Sequence, residues 1–359
     1  MDISDVISNV NVLADDGVAI DYAVVLPSND QEVMSLAVGV VGEIKSTVKS
    51  SSTNWVVSID AMPIVSIWDA DTGHLLVSVD VTHDEQFQPL MSCSRDGDRL
   101  VACCGTQLNI WNLNSVSSSL EFIRMLQPST TSICSISMNF DGSCIAIGYF
   151  DGYIRACDVE SGTVLWYRDV HDGPVLDLDI SADGNVLASI GVDERIVVCL
   201  VATGQEVCQF EDVNTAVVTA IKFNPDASRI ASCSGENTIR IWDVAGRSED
   251  MLLRGHTDLL TSLSYSPDGT RLASGSYDHS VRVWDMQSSG ECLYVLLGHT
   301  NVVKSVSFSN DGCKIVSGSL DRQIVIWDST TGCEITRWQH EHNCLGVYYL
   351  PMMSTYMLK

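Results

Sequence analysis

Residues 293–327 read LYVLLGHTNVVKSVSFSNDGCKIVSGSLDRQIVIW. Four short β-like runs lie in this stretch: Leu293–Leu297, Val303–Phe308, Lys314–Ser317 and Ile324–Trp327. Gly298-His299, Asn310-Asp311-Gly312 and Leu320-Asp321 separate them. Alternating apolar residues, β-branched side chains and Asp-Gly turns all specify strands joined by tight hairpins.

The pattern repeats along the chain. Pairs in the place of Trp327-Asp328 occur at Trp68-Asp69, Trp111-Asn112, Cys157-Asp158, Cys199-Leu200, Trp242-Asp243 and Trp284-Asp285, at intervals of 43, 46, 42, 43, 42 and 43 residues. A four-stranded sheet with two apolar faces cannot bury both alone, but copies stacked around an axis can. The reading is all-β, one domain over residues 18–359, with seven complete four-stranded blades. Tyr22–Leu26 and Val33–Val38 at one end, and Leu345–Leu350 and Ser354–Leu358 at the other, have the look of complementary half-blades. Seven and eight blades both stay open, and a two-plus-two eighth blade is favoured.

These motifs resemble the WD40 family of β-propellers. Gly255-His256 and Gly298-His299 precede Trp284-Asp285 and Trp327-Asp328 at that family's spacing. The resemblance implies a buried tetrad of His, Ser, Asp and Trp in each complete blade: His256, Ser274, Asp278, Trp284, and His299, Ser317, Asp321, Trp327. His171, Ser189 and Asp193 keep the spacing, with Cys199 in the Trp place. Asn214, Ser232, Glu236 and Trp242 keep it with two polar replacements. Around Asp151 the set is broken (Ser129, Ile147, Cys157), His83 and Trp111 are the ends of another, and the first blade retains little beyond Trp68.

The family's ligands usually sit on the face holding the turns between second and third strands and between successive blades. Carried over by register, that face comprises Leu259, Thr261 and Tyr277; Val302, Lys304 and Leu320; Pro174, Leu176 and Val192; Val217 and Thr219; and Ser132, Cys134 and Phe150. The set is apolar for an exposed rim, which marks an interaction surface.

Composition bounds the partners. The 359 residues carry 46 acidic and 20 basic side chains, a formal charge of -26. Such a chain repels phosphate backbones and anionic membranes and steers basic protein segments toward itself. Residues 1–44 hold eight acidic residues and no Lys or Arg; residues 1–17 read as a mobile acidic leader. The start lacks the basic residues of a secretory signal, and no apolar run reaches the ~20 residues of a membrane span. The 13 cysteines are scattered and form no Cys-x-x-Cys pair, as expected of a reducing intracellular compartment, cytoplasmic or nuclear.

No catalytic site, cofactor or metal is expected. The Ser, His and Asp sets recur from blade to blade, whereas catalysis needs one exposed nucleophile with its base. Cys333, His340, His342 and Cys344 have the ligand types for zinc, but their repeat positions are structural. The functional expectation is a scaffold or adaptor for other proteins. Alternatives are a carrier of a basic client and a substrate receptor of a ubiquitin ligase. The last often carries Trp-Asp-x-Arg; the Arg position here holds Asp71, Asn114, Ala245, Gln287 and Thr330. If the repeat reading holds, far-UV circular dichroism will show well under about a quarter helix.

Overall fold

The computed structural model describes residues 55–81, 89–94, 97–114, 119–126, 131–211, 219–234, 236–288 and 290–350. All lie in one compact unit, Gly42–Lys359. They form twenty-eight strands in seven four-stranded antiparallel sheets, with no helix among them. No helix of the described residues is long and apolar enough to cross a membrane.

Six sheets are built from consecutive strands. Blade 2 is β4 (Leu90–Cys93) to β7 (Ser119–Leu126), blade 3 is β8 (Ile133–Met138) to β11 (Val164–Asp169), and blade 4 is β12 (Val175–Ile180) to β15 (Glu206–Phe210). Blade 5 is β16 (Ile221–Phe223) to β19 (Ser248–Arg254), blade 6 is β20 (Leu260–Tyr265) to β23 (Cys292–Leu296), and blade 7 is β24 (Val303–Phe308) to β27 (Glu334–Gln339). Blade 1 differs. Its order is β28 (Cys344–Leu350), β1 (Trp55–Asp60), β2 (Ile64–Asp69), β3 (Leu75–Asp80), so the last strand of the chain is its innermost. Ser58 pairs with Val347 and Trp55 with Leu350.

Among the described residues there are therefore seven blades, and the favoured eighth is corrected. The C-terminal strand assigned to it completes blade 1 instead, because β1 would otherwise present a bare edge to the channel. The leader and the strands expected at Tyr22–Leu26, Val33–Val38 and Ser354–Leu358 fall outside the described residues.

Local sequence sets the hairpins. In the turn after β24, Asp311 accepts from the N–H of Cys313 and the hydroxyl of Ser309 (2.9 and 2.5 Å), and Gly312 adopts φ +70°. Asp141, Asp183 and Asp268 accept an N–H two residues on in the same way. This is why a short carboxylate followed by glycine marks each such turn.

Packing is pairwise between neighbours. Each of seven apolar clusters joins two adjacent blades; one runs from Ala273 and Val283 of blade 6 to Val306, Phe308 and Trp327 of blade 7. Another joins Val316 and Ile326 of blade 7 to Val56, Trp68 and Val347 of blade 1, closing the ring.

The inner strands carry a second set of ties. Each is a sheet edge, and its outward N–H groups need acceptors that its own sheet cannot offer. The preceding blade supplies them. Leu178 and Ile180 donate to Ser135 and Ser137 (both 3.1 Å), Ile221 and Phe223 to the carboxylates of Asp177 and Asp179 (2.9 and 2.8 Å), and Val306 and Phe308 to Ser262 and Ser264 (3.2 and 3.0 Å). Lys222 neutralises Asp179 at 2.8 Å. Burial pushes the Asp177 carboxyl up, against the pull of Lys222.

Removing one tie leaves a buried N–H without an acceptor. Ser264→Ala is expected to lower stability by about 1–3 kcal/mol in chemical denaturation, through the amide of Phe308. An unchanged midpoint would show that the tie is dispensable.

Candidate partner-binding face

The tetrad residues converge in two blades. In blade 6, Trp284 Nε1 donates to Ser274 Oγ (2.9 Å), Ser274 to His256 Nε2 (2.7 Å), and His256 Nδ1 to Asp278 (2.7 Å). In blade 7 the chain from Trp327 through Ser317 and His299 to Asp321 measures 2.8, 2.8 and 2.9 Å. Asp278 and Asp321 also accept the N–H groups of Thr257 and Thr300. The carboxylate thus binds the turn between second and third strands to the loop entering the blade.

That clamp positions the candidate face. Next to it, Tyr277 N–H donates to Leu259 O (2.8 Å), Leu320 to Val302 (3.0 Å), Val192 to Pro174 (3.1 Å) and Phe150 to Ser132 (3.0 Å). The rim is a series of residue pairs, each welded through its backbone. Phe150 is 61% exposed, Val192 46%, Tyr277 40% and Leu259 39%.

Other members of the expected set do not present themselves to solvent. Val302 is only 7% exposed. Val302 donates its N–H to the Asn301 side chain and its carbonyl accepts from Leu320, the same two bonds that exposed Leu259 makes with Asp258 and Tyr277. Leu176 packs against the core between blades 4 and 5. Thr261 is half-buried and donates to Val303 O at 2.5 Å. Leu320 is half-buried. Lys304 is half-buried with its ammonium 5.8 Å from the centre of the Tyr277 ring, and burial lowers its pKa. Val217 lies outside the described residues.

Blade 4 keeps His171, Ser189 and Asp193 (2.8 and 2.9 Å), and Arg195 braces the carboxylate at 2.8 Å. Cys199 brings no indole. Trp166, on the outer strand of blade 3, packs in the same cluster and donates its N–H to Val201 O at 2.6 Å. In blade 5, Trp242 donates to Ser232 at 2.9 Å, while Asn214 is outside the described residues and Glu236 is exposed. In blade 3 the tetrad face is filled by Ile147, Cys157, Tyr149 and Tyr153.

Two features escaped the sequence reading. Met62 stands at the turn of blade 1, 53% exposed, and belongs to the same rim. Ser58 accepts from Trp68 at 2.8 Å and meets His340 at 3.1 Å, so blade 1 retains more than its tryptophan. The ten-residue step from Ser58 to Trp68, equal to that from Ser274 to Trp284, was the available signal. No group of three His, Cys, Asp or Glu residues among the described residues is placed to hold a metal ion.

The profile described as "WD domain, G-beta repeat" matches residues 204–243, 248–285 and 290–328, and the last two of these segments contain the complete tetrads. Three blades of this propeller thus carry the WD40 repeat. The chain is 28% identical to human F-box-like/WD repeat-containing protein TBL1Y over 159 residues, 42% of this chain and 30% of that protein. It is 29% identical over 191 residues to Protein HIR1 of Phaeosphaeria nodorum (47% of this chain, 18% of that protein). It is 32% identical over 91 residues to WD repeat-containing protein 91 of Danio rerio (25% and 12%). The matched part thus spans less than a third of these relatives.

The clamp has a pH signature. Burial raises the Asp321 carboxyl, but the bonds from His299 and from the N–H groups of Thr300 and Gln323 outweigh it and hold the pKa at about 2. A carboxylate depressed in the folded state stabilises above its unfolded value of ~4 and loses that contribution as pH falls toward 2. Asp321→Ala is expected to cost about 1–3 kcal/mol at neutral pH and to flatten the acid limb between pH 4 and 2. Asp151→Ala should cost less, since its acceptor bonds, from Thr131 and Tyr153, are exposed. Equal losses in thermal unfolding at both positions would overturn the clamp.

Proposed function

We propose that this propeller is a protein-interaction platform, a scaffold or adaptor that holds its partners on the rim of paired turns. The observation that carries the reading is the exposure of Phe150, Val192, Tyr277 and Leu259 on turns held rigid by hydrogen bonds. Aromatic anchors on a preorganised backbone lose little entropy on binding and make the strongest interface contacts. Met62 extends the surface to blade 1.

No catalytic role enters this proposal. The serine, histidine and aspartate of each tetrad are buried, and every hydroxyl is committed within its blade. A second reading, a carrier of a basic client, draws on the charge of -26. On the rim, Asp151, Asp172, Glu194 and Asp258 are exposed beside the apolar pairs. Both readings place the protein inside the cell, which suits the twelve free cysteines among the described residues.

The test is capture of native partners followed by mass spectrometry and binding kinetics. Phe150→Ala combined with Tyr277→Ala should weaken the captured complex by about 2 kcal/mol or more, roughly thirtyfold, without lowering thermal stability. For a basic client, association should slow as salt rises. Normal binding by the double variant, with no salt effect, would refute both readings.

A further inference from the structure

The seam that closes the ring holds a histidine cluster built unlike the others. In blades 4, 6 and 7 the histidine Nδ1 lies 2.7–2.9 Å from a carboxylate. In blade 1 the aligned position is Met62, and Asp60, two residues earlier, takes the carboxylate role from 3.6 Å. Asp60 Oδ1 accepts the N–H groups of Met62 and Ile64, both at 2.9 Å, whereas Oδ2 is buried without a hydrogen-bond partner.

His340 Nδ1 instead faces the backbone N–H of His342 at 3.4 Å. Beside a carboxylate, Nδ1 has to carry the hydrogen; beside an N–H it has to be bare. His340 is therefore the opposite neutral tautomer, with Nε2–H donating to Ser58. The contact to His342 holds the turn that leads from β27 into β28. An imidazolium has no acceptor left, so a second proton ends that contact.

The surroundings compensate only in part: burial and His342 oppose the proton, Asp60 on β1, whose Oδ2 lies 3.6 Å from Nδ1, and Glu341 on the turn attract it, and the Trp68 ring stands 5.4 Å away. The backbone N–H of His340 is already committed to Arg322 O at 2.7 Å. Trp55 Nε1 at the start of β1 and Trp338 Nε1 on β27 are also buried and unsatisfied. With Asp60 they make three of the nine such atoms among the described residues, so the polar interior is poorly satisfied at this seam.

We propose that the ring opens at this seam on proton uptake by His340, releasing β28 from β1 while the other six sheets keep their pairing. Burial holds the His340 ring below the ordinary histidine value, against the pull of Asp60. A histidine depressed in this way stabilises the folded state above ~6.5 and withdraws that contribution as pH falls. Acid is thus the opening direction.

Hydrogen exchange of the full chain at pH 7.5 and 5.5, corrected for intrinsic rates, tests this. Peptides covering β28 and β1 are expected to lose about tenfold or more of their protection at pH 5.5, with β12 and β13 (Val186–Gly191), which do not touch β28, unchanged. His340→Gln keeps an N–H for Ser58 but cannot take the proton, and should abolish the response. Equal protection at both pH values, simultaneous loss in all seven sheets, or an unchanged response in His340→Gln would overturn the proposal. A second readout needs no variant. Cys344 and Cys233 are both buried, and burial raises both thiols. The ratio of Cys344 to Cys233 alkylation, mapped by peptide, should rise at pH 5.5; a constant ratio refutes seam opening.

Discussion

A four-stranded sheet with two apolar faces and two bare edges cannot persist alone in water, and the rest of this molecule follows from that constraint. The faces are covered by neighbours, which fixes the ring and gives each core cluster two owners. The inner edges are covered by hydroxyls and carboxylates from the preceding blade. The six sheets built from consecutive strands need no distant partner, so the long-range strand pair between Trp55–Asp60 and Cys344–Leu350 is the one pairing that closes the circle.

The tetrads act within this frame as clamps on loops. A buried indole, hydroxyl, imidazole and carboxylate in series leave no polar atom of the relay without a partner, and such networks are rigid when every member is satisfied. Their effect on function is indirect. They fix where the turn carrying Tyr277 or Leu320 stands relative to the loop carrying Leu259 or Val302. Recognition and stability thereby share hydrogen bonds but use different side chains.

Much of this was legible in the sequence because a period near 43 residues repeats the same physical problem. Positions such as Ser274, Asp278 and Trp284 could be assigned by counting. Counting failed where the answer lay outside one repeat. His340 and Ser58 are separated by 282 residues, so no spacing within a blade could join them. The destination of Leu345–Leu350 was open for the same reason: a strand's partner is set by which edge is bare, and that depends on the other end of the chain. Val302 shows a subtler limit. Register placed it beside exposed Leu259, and the two loops share their backbone bonds, yet one side chain is covered and the other is not.

Trp166 illustrates how far the blades have ceased to be equivalent. Blades 6 and 7 each contain their own complete clamp, and either could stand in for the other. Blade 4 cannot be treated in this way, since the indole filling its boundary belongs to blade 3 and is anchored on Val201. Cys199 and Trp166 are thus one packing unit spread over two repeats. Exchanging whole repeats would leave the clamps of blades 6 and 7 intact but would part Trp166 from Val201 at the boundary of blades 3 and 4.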